Sequence, residues 1–487
     1  MATKYLTLNL TIDESSNKVL FAEASKDFID VLLSFLTLPL ATLVRLSDKN
    51  SLPCLDNLYK SVEDLADEYF KTAPCRGMLL WPRHAAESMC LDLSVNVEGN
   101  RALCYYTCSR DCYHDYLSLY ANAQCDCGRK MSHKVYMPIS GSIKNENTEG
   151  VFLTGGRYFI TDNFTAVPSS IQAAINLLGG DRTIMSKLGE RQVTVGLSEI
   201  ISILHQSLVS EAALTNAFLV QENDNLPEKK NSALAHDSLP ELCSDSDPSD
   251  GIVRIKLRVD KQKNKVVFAE CKGDFIDILF SFLTYPSGFV IKSLNGISHV
   301  ACLDNLYATV LSNPMADCFK AINTKEYLVN PMIPSHFELN QSFIKSEEVH
   351  RGRMRYYLCR NSDCDSTEVS LIPNVRCKCG CITNKRMAIM DPRSGANGNS
   401  SEGFVSDGMY IVSDDLVITP LCSVSTLIRR IASDDLVEVP FNIGKKEVLA
   451  LLKAALGSQA ALTNVFLGKE ETIKDVASGI DGDCVLV

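Results

Sequence analysis

One stretch of this chain occurs twice. Asn17-Lys-Val-Leu-Phe-Ala-Glu-Ala-Ser-Lys-Asp-Phe-Ile-Asp returns from Asn264 with ten of fourteen residues identical. Cys54-Leu-Asp-Asn-Leu-Tyr returns unchanged from Cys302, and Ser210 to Leu219 returns as Ser458 to Leu467 with eight of ten identical. The offset drifts only from 247 to 252, so one unit runs from about Leu6 to Leu219 and again from about Val253 to Leu467. A unit of that size is a domain, not the short module of a solenoid, and the chain reads as a tandem duplication. The 487 residues, too many for one ordinary core, divide into a first unit 1–220, a linker 221–252, a second unit 253–467 and a loose C-terminal tail 468–487.

The linker is set apart by charge. Gln221 to Gly251 holds eight acids against two bases, more than half of the net charge of −11. Such an acidic, Pro/Ser-rich piece cannot bury enough apolar surface to fold and is expected to be flexible. The units themselves, at 46% hydrophobic residues overall, have the composition of globular domains. The N-terminus lacks the apolar stretch of a signal peptide, and no apolar run is long enough to span a bilayer. A soluble protein of the cytoplasm and/or nucleus is expected, with no membrane contact. In that reducing setting the 19 cysteines point to metal binding or plain burial, not to disulfides.

Periodicity predicts a mixed unit. Tyr5 to Ile12 alternates apolar and polar residues, Asp13 to Asn17 supplies a turn, and Val19 to Glu23 follows as a second strand of a hairpin. Phe28, Val31, Leu32 and Phe35 then recur at helical spacing after Asp27. Leu58, Val62, Leu65 and Tyr69 do the same after Asp56, read as a cap. Arg157 to Thr161 reads as a strand ended by Asp162-Asn163, and a last helix begins at Ser198 or Glu199. The class is α+β; the strand order is not legible.

Each unit carries one four-cysteine set. The first is Cys108, Cys112, Cys125 and Cys127, followed by Gly128, within a module near 104–134. The second is Cys359, Cys364, Cys377 and Cys379, followed by Gly380, within a module near 356–386. Two cysteine pairs a dozen residues apart can converge on one tetrahedral ion, with the intervening residues forming a return hairpin. The glycines suit a tight knuckle with positive φ that leaves N–H groups facing sulfur. The pattern predicts two structural zinc ions per chain. Plain burial, partial disulfide pairing and redox chemistry are the alternatives. Cys54 and Cys302, single and followed by Leu, read as core. Cys75, Cys90, Cys104 and Cys381 have no counterpart in the other copy and are expected to be buried.

No catalytic constellation emerges, and catalytic and cofactor-binding residues are therefore assigned to none. The eight histidines fall at no matched positions; His114 and His133 flank the first cysteine set and are possible replacement ligands. The matched acids Asp27/Asp274, Asp30/Asp277, Asp56/Asp304, Glu23/Glu270, Asp162/Asp414 and Glu199/Glu447 lie at or near predicted element boundaries, where capping is the expected role. Phosphate-loop and nucleophile-elbow motifs are missing. Arg351 to Arg386 carries eight bases against three acids, and Tyr356-Tyr357 offers stacking faces. The equivalent stretch of the first unit is far less basic, so nucleic-acid binding is not expected.

The strings Asn17-Lys-Val-Leu-Phe-Ala-Glu-Ala, Leu33-Ser-Phe-Leu-Thr-Leu-Pro-Leu, Cys54-Leu-Asp-Asn-Leu-Tyr and Ala213-Leu-Thr-Asn-Ala-Phe-Leu resemble the plant family catalogued as domain of unknown function 674. The likeness runs through both copies and implies a land-plant source and a duplicated unit, with no activity or cofactor to carry over. The second copy departs at Leu283-Thr-Tyr-Pro-Ser-Gly, against Leu36-Thr-Leu-Pro-Leu-Ala in the first, so an apolar docking face there would differ between copies. The reading is a non-enzymatic interaction or scaffold protein with an unknown protein partner. Its two units grip that partner together or pack about a pseudo-twofold axis. The alternatives are an enzyme with a cleft between the units and a weak nucleic-acid binder acting through the basic modules.

Overall fold

The computed structural model describes residues 5–99, 103–109, 112–137, 151–179, 187–220, 252–339, 343–344, 355–359, 361, 364, 368–394, 403–421 and 436–467. The acidic linker and the C-terminal tail lie outside these residues. Each copy begins with the hairpin its alternation predicts. Strand Leu6–Asp13 pairs antiparallel with Lys18–Ser25, and Val253–Asp260 pairs with Lys265–Lys272. The turns close through Asn17 and Asn264 at φ 50 and 47, a left-handed conformation that asparagine tolerates better than most residues. Leu6, Leu8, Leu10 and Ile12 point inward because the strand repeats every second residue.

The remaining strands join from far along the chain. In the first copy the order is Leu188–Val195, Leu6–Asp13, Lys18–Ser25, Arg157–Thr161, Ala166–Pro168, and every pairing is antiparallel. The second copy repeats it with Leu436–Ile443, Val253–Asp260, Lys265–Lys272, Met409–Ser413 and Ile418–Pro420. Helices cover the apolar face. Lys26–Ser34, extended by a 3-10 turn Phe35–Thr37, corresponds to the single helix Gly273–Thr284. Helix Leu197–Val209 starts at Gly196, whose N–H donates to Glu199, and Lys445–Gly457 repeats this with Gly444 and Glu447. A further short helix follows each, Ala213–Phe218 and Ala461–Phe466.

Asp56 does not cap its helix. Helix Pro53–Asp64 starts three residues earlier with proline in its first turn, and Asp56 accepts from the Asn50 N–H at 2.8 Å to close the preceding loop. Tyr69 lies past the helix end, in a separate turn Asp67–Tyr69. Proline takes the helix start because its missing N–H costs nothing there.

The two copies are fused. Pro39 and Pro286 meet as an isolated bridge, with Leu40 N–H donating to Tyr285 O and Ser287 N–H donating to Leu38 O, at 3.0 and 2.9 Å. Other contacts come in reciprocal pairs. Cys54 donates its thiol to Ser458 O as Cys302 does to Ser210 O, at 3.1 and 3.2 Å. Asn57 donates to Asp415 O as Asn305 does to Asn163 O, and Ser61 accepts from Ile418 N–H as Thr309 does from Ala166 N–H. Such reciprocity is the signature of a twofold interface, here between copies within one chain. Helix Pro53–Asp64 lies against Lys445–Gly457 and Ile418–Pro420 of the second copy, and Ala301–Leu311 lies likewise against the first. A single apolar core runs through both copies.

The segment that differs between copies sits in this seam and is buried, so it presents no docking face. A Cβ on Gly288 would lie 2.4 Å from Leu328 O and 2.9 Å from Leu36 O, both backbone atoms. Only glycine lets the helix Ser287–Ser293 approach that closely. Gly288→Ala is expected to lower the unfolding free energy by on the order of 2–3 kcal/mol through overpacking of the seam. Urea denaturation at fixed protein concentration measures this; an unchanged midpoint would contradict it.

Candidate metal centre

The cysteine sets lie on β-hairpins held away from the main sheets. Strand Leu103–Thr107 pairs with His133–Met137, and Tyr356–Cys359 pairs with Ile382–Ile389. The first cysteine pair lies at or just past the end of the outgoing strand, Cys359 being its last residue, and the second pair precedes the returning one. In each set the second cysteine of the first pair bonds back to the residue three before it, Cys112 N–H to Ser109 O and Cys364 N–H to Asn361 O. The second pair sits on a knuckle in which Gly128 N–H donates to Cys125 O and Gly380 N–H to Cys377 O. Gly128 and Gly380 adopt φ of +81 and +86, the left-handed conformation that favours glycine.

This geometry brings the sulfurs together. All four ligand atoms of Cys108, Cys112, Cys125 and Cys127 lie within 4.8 Å of one another, as do those of Cys359, Cys364, Cys377 and Cys379. The nearest contacts are 3.4 Å for Cys108–Cys127, 3.7 Å for Cys112–Cys125, 3.5 Å for Cys359–Cys379 and 3.4 Å for Cys364–Cys377. Four thiolates about 2.3 Å from a tetrahedral ion are separated by roughly 3.8 Å. All eight cysteines are free of disulfides. Both groups could therefore hold a metal ion, and a soft thiolate set favours a borderline-soft ion over a hard one.

The protein prepares one thiolate per set. The Arg129 N–H brings the Cys127 thiol down to about 6, and the Cys381 N–H does the same for Cys379, also to about 6. Burial pushes Cys125 up to about 12 and raises Cys108 and Cys359. A bound cation would reverse that burial cost by stabilising the charged form. Of the two flanking histidines, His114 places Nδ1 3.5 Å from Cys112 Sγ and 3.8 Å from Cys125 Sγ, stacked on Tyr116. His133 is exposed on the strand opposite Thr107.

The two modules are themselves joined. Tyr116–Leu117 pairs in parallel with Ala388–Ile389, and Val369 N–H donates to Tyr136 O. Leu103, Tyr105, Leu117, Val135, Met137, Tyr356, Val369 and Met387 form a small core common to both. Tyr105 and Tyr356, matched residues of the repeat, meet there with ring centroids 5.4 Å apart. Tyr356 is thus buried and offers no face to a nucleic-acid base.

The matched acids are occupied with main-chain and surface bonds. Asp30 and Asp277 do not cap helices. They lie buried within them and accept N–H bonds from remote loops, Asp30 from Val151, Phe152 and Leu153 and Asp277 from Phe404 and Val405. Burial raises Asp30 to about 6 and Asp277 to about 7. Asp27, three residues from Asp30, is half-exposed and paired with Lys26, so the two do not act together. Asp162 and Asp414 cap the helices Ala213–Phe218 and Ala461–Phe466 through Thr215 and Thr463. Glu23 and Glu270 pair with Arg157 and Arg258.

The void at the seam is small and apolar, lined by Leu40, Leu43, Leu208, Val290 and Leu456 among others. A larger open depression of about 460 Å³ at the second hairpin is lined by Asp260, Lys263, Lys265, Ser413, Asp414 and Gln459. Neither contains Asp27 or Asp30. Expected burial holds for Cys75 and Cys90, but Cys104 is half-buried and Cys381 is exposed beside the second sulfur set. The spacing of Cys381, two residues past the knuckle cysteine, was the available signal for that placement.

Residues 2–432 and 252–481 match the family model described as Protein of unknown function (DUF674), and the chain belongs to that family. No curated protein and no solved structure matches it.

Two outcomes follow from these bonds. Because folding raises Asp277, its contribution is fully present below the unfolded value near 4 and is lost as pH rises through about 7. The stability gap between wild type and Asp277→Asn should therefore narrow by on the order of 2 kcal/mol between pH 4 and pH 8; a gap that widens in urea titrations contradicts this. Gly380→Ala, with open space around its Cβ but the wrong φ, is expected to cost about 1–2 kcal/mol and to weaken metal retention by roughly tenfold, read by chelator competition.

Proposed function

We propose that this member of an uncharacterised family is a non-enzymatic scaffold protein whose two modules are each stapled by a structural zinc ion. The observation that carries the reading is the gathering of eight cysteine sulfurs into two closed groups of four on one fused pair of hairpins. Four thiolates complete a tetrahedral shell and leave no position at which water or substrate could be activated. When bound, zinc supplies cross-linking and charge compensation. The chain's own contribution is to hold the sulfurs within reach and to donate the Arg129 and Cys381 N–H groups to them.

The support for scaffold over enzyme is the use of the matched acids: those described above serve a loop, a cap or a surface pair, and Asp304 accepts from Ser298 in the loop before its helix. A protein partner suits the exposed hairpin of the second module, where Ile382 lies opposite Arg376 and both are exposed. Such a face fits an acidic segment carrying apolar side chains. A reducing compartment, cytoplasm or nucleus, suits sixteen free cysteines among the described residues. No helix among the described residues is long and apolar enough to cross a membrane. A land-plant source belongs to the same proposal.

Metal analysis of the full chain purified under reducing conditions tests it. About two zinc ions per chain are expected, and Cys125→Ser or Cys377→Ser should each lower that to about one. Chelation should open the hairpin amides to hydrogen exchange while the main sheets stay protected. A metal-free wild-type protein with the same protection of the hairpins would overturn the reading.

A further inference from the structure

The repeat supplies its own control, because the two sulfur sets share a ligand pattern and differ in their surroundings. The first set is shielded. Cys108 and Cys125 are buried with Ala123, Met131 and Met390, the last contributed by the second copy. His114 stands against two of its sulfurs. The second set is open on one side: Cys379 is exposed, and so are the flanking Val375 and Ile382. Val375 is 43% exposed where the aligned Ala123 is fully buried.

The residue after the knuckle glycine makes the sharper difference. In both copies its carbonyl accepts from the first knuckle cysteine, Cys125 N–H to Arg129 O and Cys377 N–H to Cys381 O. In the first copy that residue sends a guanidinium away to the Ser109 hydroxyl. In the second copy it is a cysteine, exposed and two residues from Cys379, its sulfur accepting from the Asn361 side-chain amide at 3.9 Å. One ligand of the second set therefore has a spare thiol beside it, with only Gly380 between them to limit closure.

We propose that Cys379 and Cys381 form an oxidation site for hydroperoxides, and that their disulfide releases the metal of the second set while the first set keeps its own. This rests on the metal reading above. The Cys379 thiolate attacks a peroxide oxygen, the O–O bond breaks, and sulfenic acid and one water or alcohol are formed. The Cys381 thiolate then attacks the sulfenic sulfur and expels hydroxide, which takes up a proton as water. Two thiols are oxidised to one disulfide and one hydroperoxide is reduced. The ion left with Cys359, Cys364 and Cys377 has lost a ligand from its closed shell and leaves. Thiol reductants reverse the change.

The experiment treats zinc-loaded full-length protein with hydrogen peroxide and follows zinc release with a chromogenic chelator and disulfides by peptide mass mapping. In wild type one equivalent should leave about tenfold faster than the other, with a Cys379–Cys381 disulfide and recovery of binding on adding dithiothreitol. Cys381→Ser removes an exposed side chain outside the ligand set. It should hold two zinc ions, release the second-site ion about tenfold more slowly, and fail to recover because the sulfenic acid oxidises further. Equal release of both equivalents, wild-type behaviour of Cys381→Ser, or a disulfide mapping elsewhere overturns the proposal. Protein that purifies without zinc defeats the metal reading instead. The loss of two hydrogens from the Cys379–Cys381 peptide under peroxide then still decides the oxidation site.

Discussion

Neither copy of this unit buries its helices alone. The helix Pro53–Asp64 needs the last long helix of the second copy, and Ala301–Leu311 needs that of the first. Apolar burial at about 25 cal/mol per Å² is the main favourable term in folding, and here one buried apolar cluster draws residues from both copies. The duplication is thus less a pair of beads than an interface held within one chain. Gly288 of the second copy, whose added Cβ would lie 2.9 Å from the Leu36 carbonyl of the first, marks how closely the two halves approach.

The buried aspartates extend that coupling to the loops. Asp30 holds the N–H groups of Val151 to Leu153, and the same loop bridges to Phe319 of the other copy. Asp277 holds Phe404 and Val405, whose loop bridges to Phe70. A carboxylate inside a helix can accept several main-chain donors at once, which satisfies loop N–H groups that would otherwise be buried without partners. The burial that raises these acids is a consequence of the position they occupy inside their helices.

The cysteine modules repeat the logic at smaller scale. A hairpin pair of this size has too little apolar surface to be stable by itself. Tyr105, Tyr356 and their neighbours supply a modest shared core, and each sulfur set gathers four ligand atoms that could hold a metal ion. The pair is not symmetric in exposure. Met390 and His114 cover the first set, while the second faces solvent through Cys379 and Cys381.

Local pattern was enough for the repeat, the first hairpin, the strand Arg157–Thr161, the helix face of Phe28 and Val31, and the two sets of four cysteines. These depend on side-chain period, turn residues and ligand spacing, all of which are properties of neighbouring residues. Asp30 and Asp277 were misread as caps because an acid near a helix start satisfies the same local rule whether its partners lie in its own first turn or a hundred residues away. Tyr356 looked like a stacking platform until packing placed Tyr105 against it. Strand order, the fusion of the two copies and the exposure of Cys381 were decided by the tertiary structure alone. Each depends on which surfaces meet, and that follows from the balance of burial over the whole chain, not from any window of it.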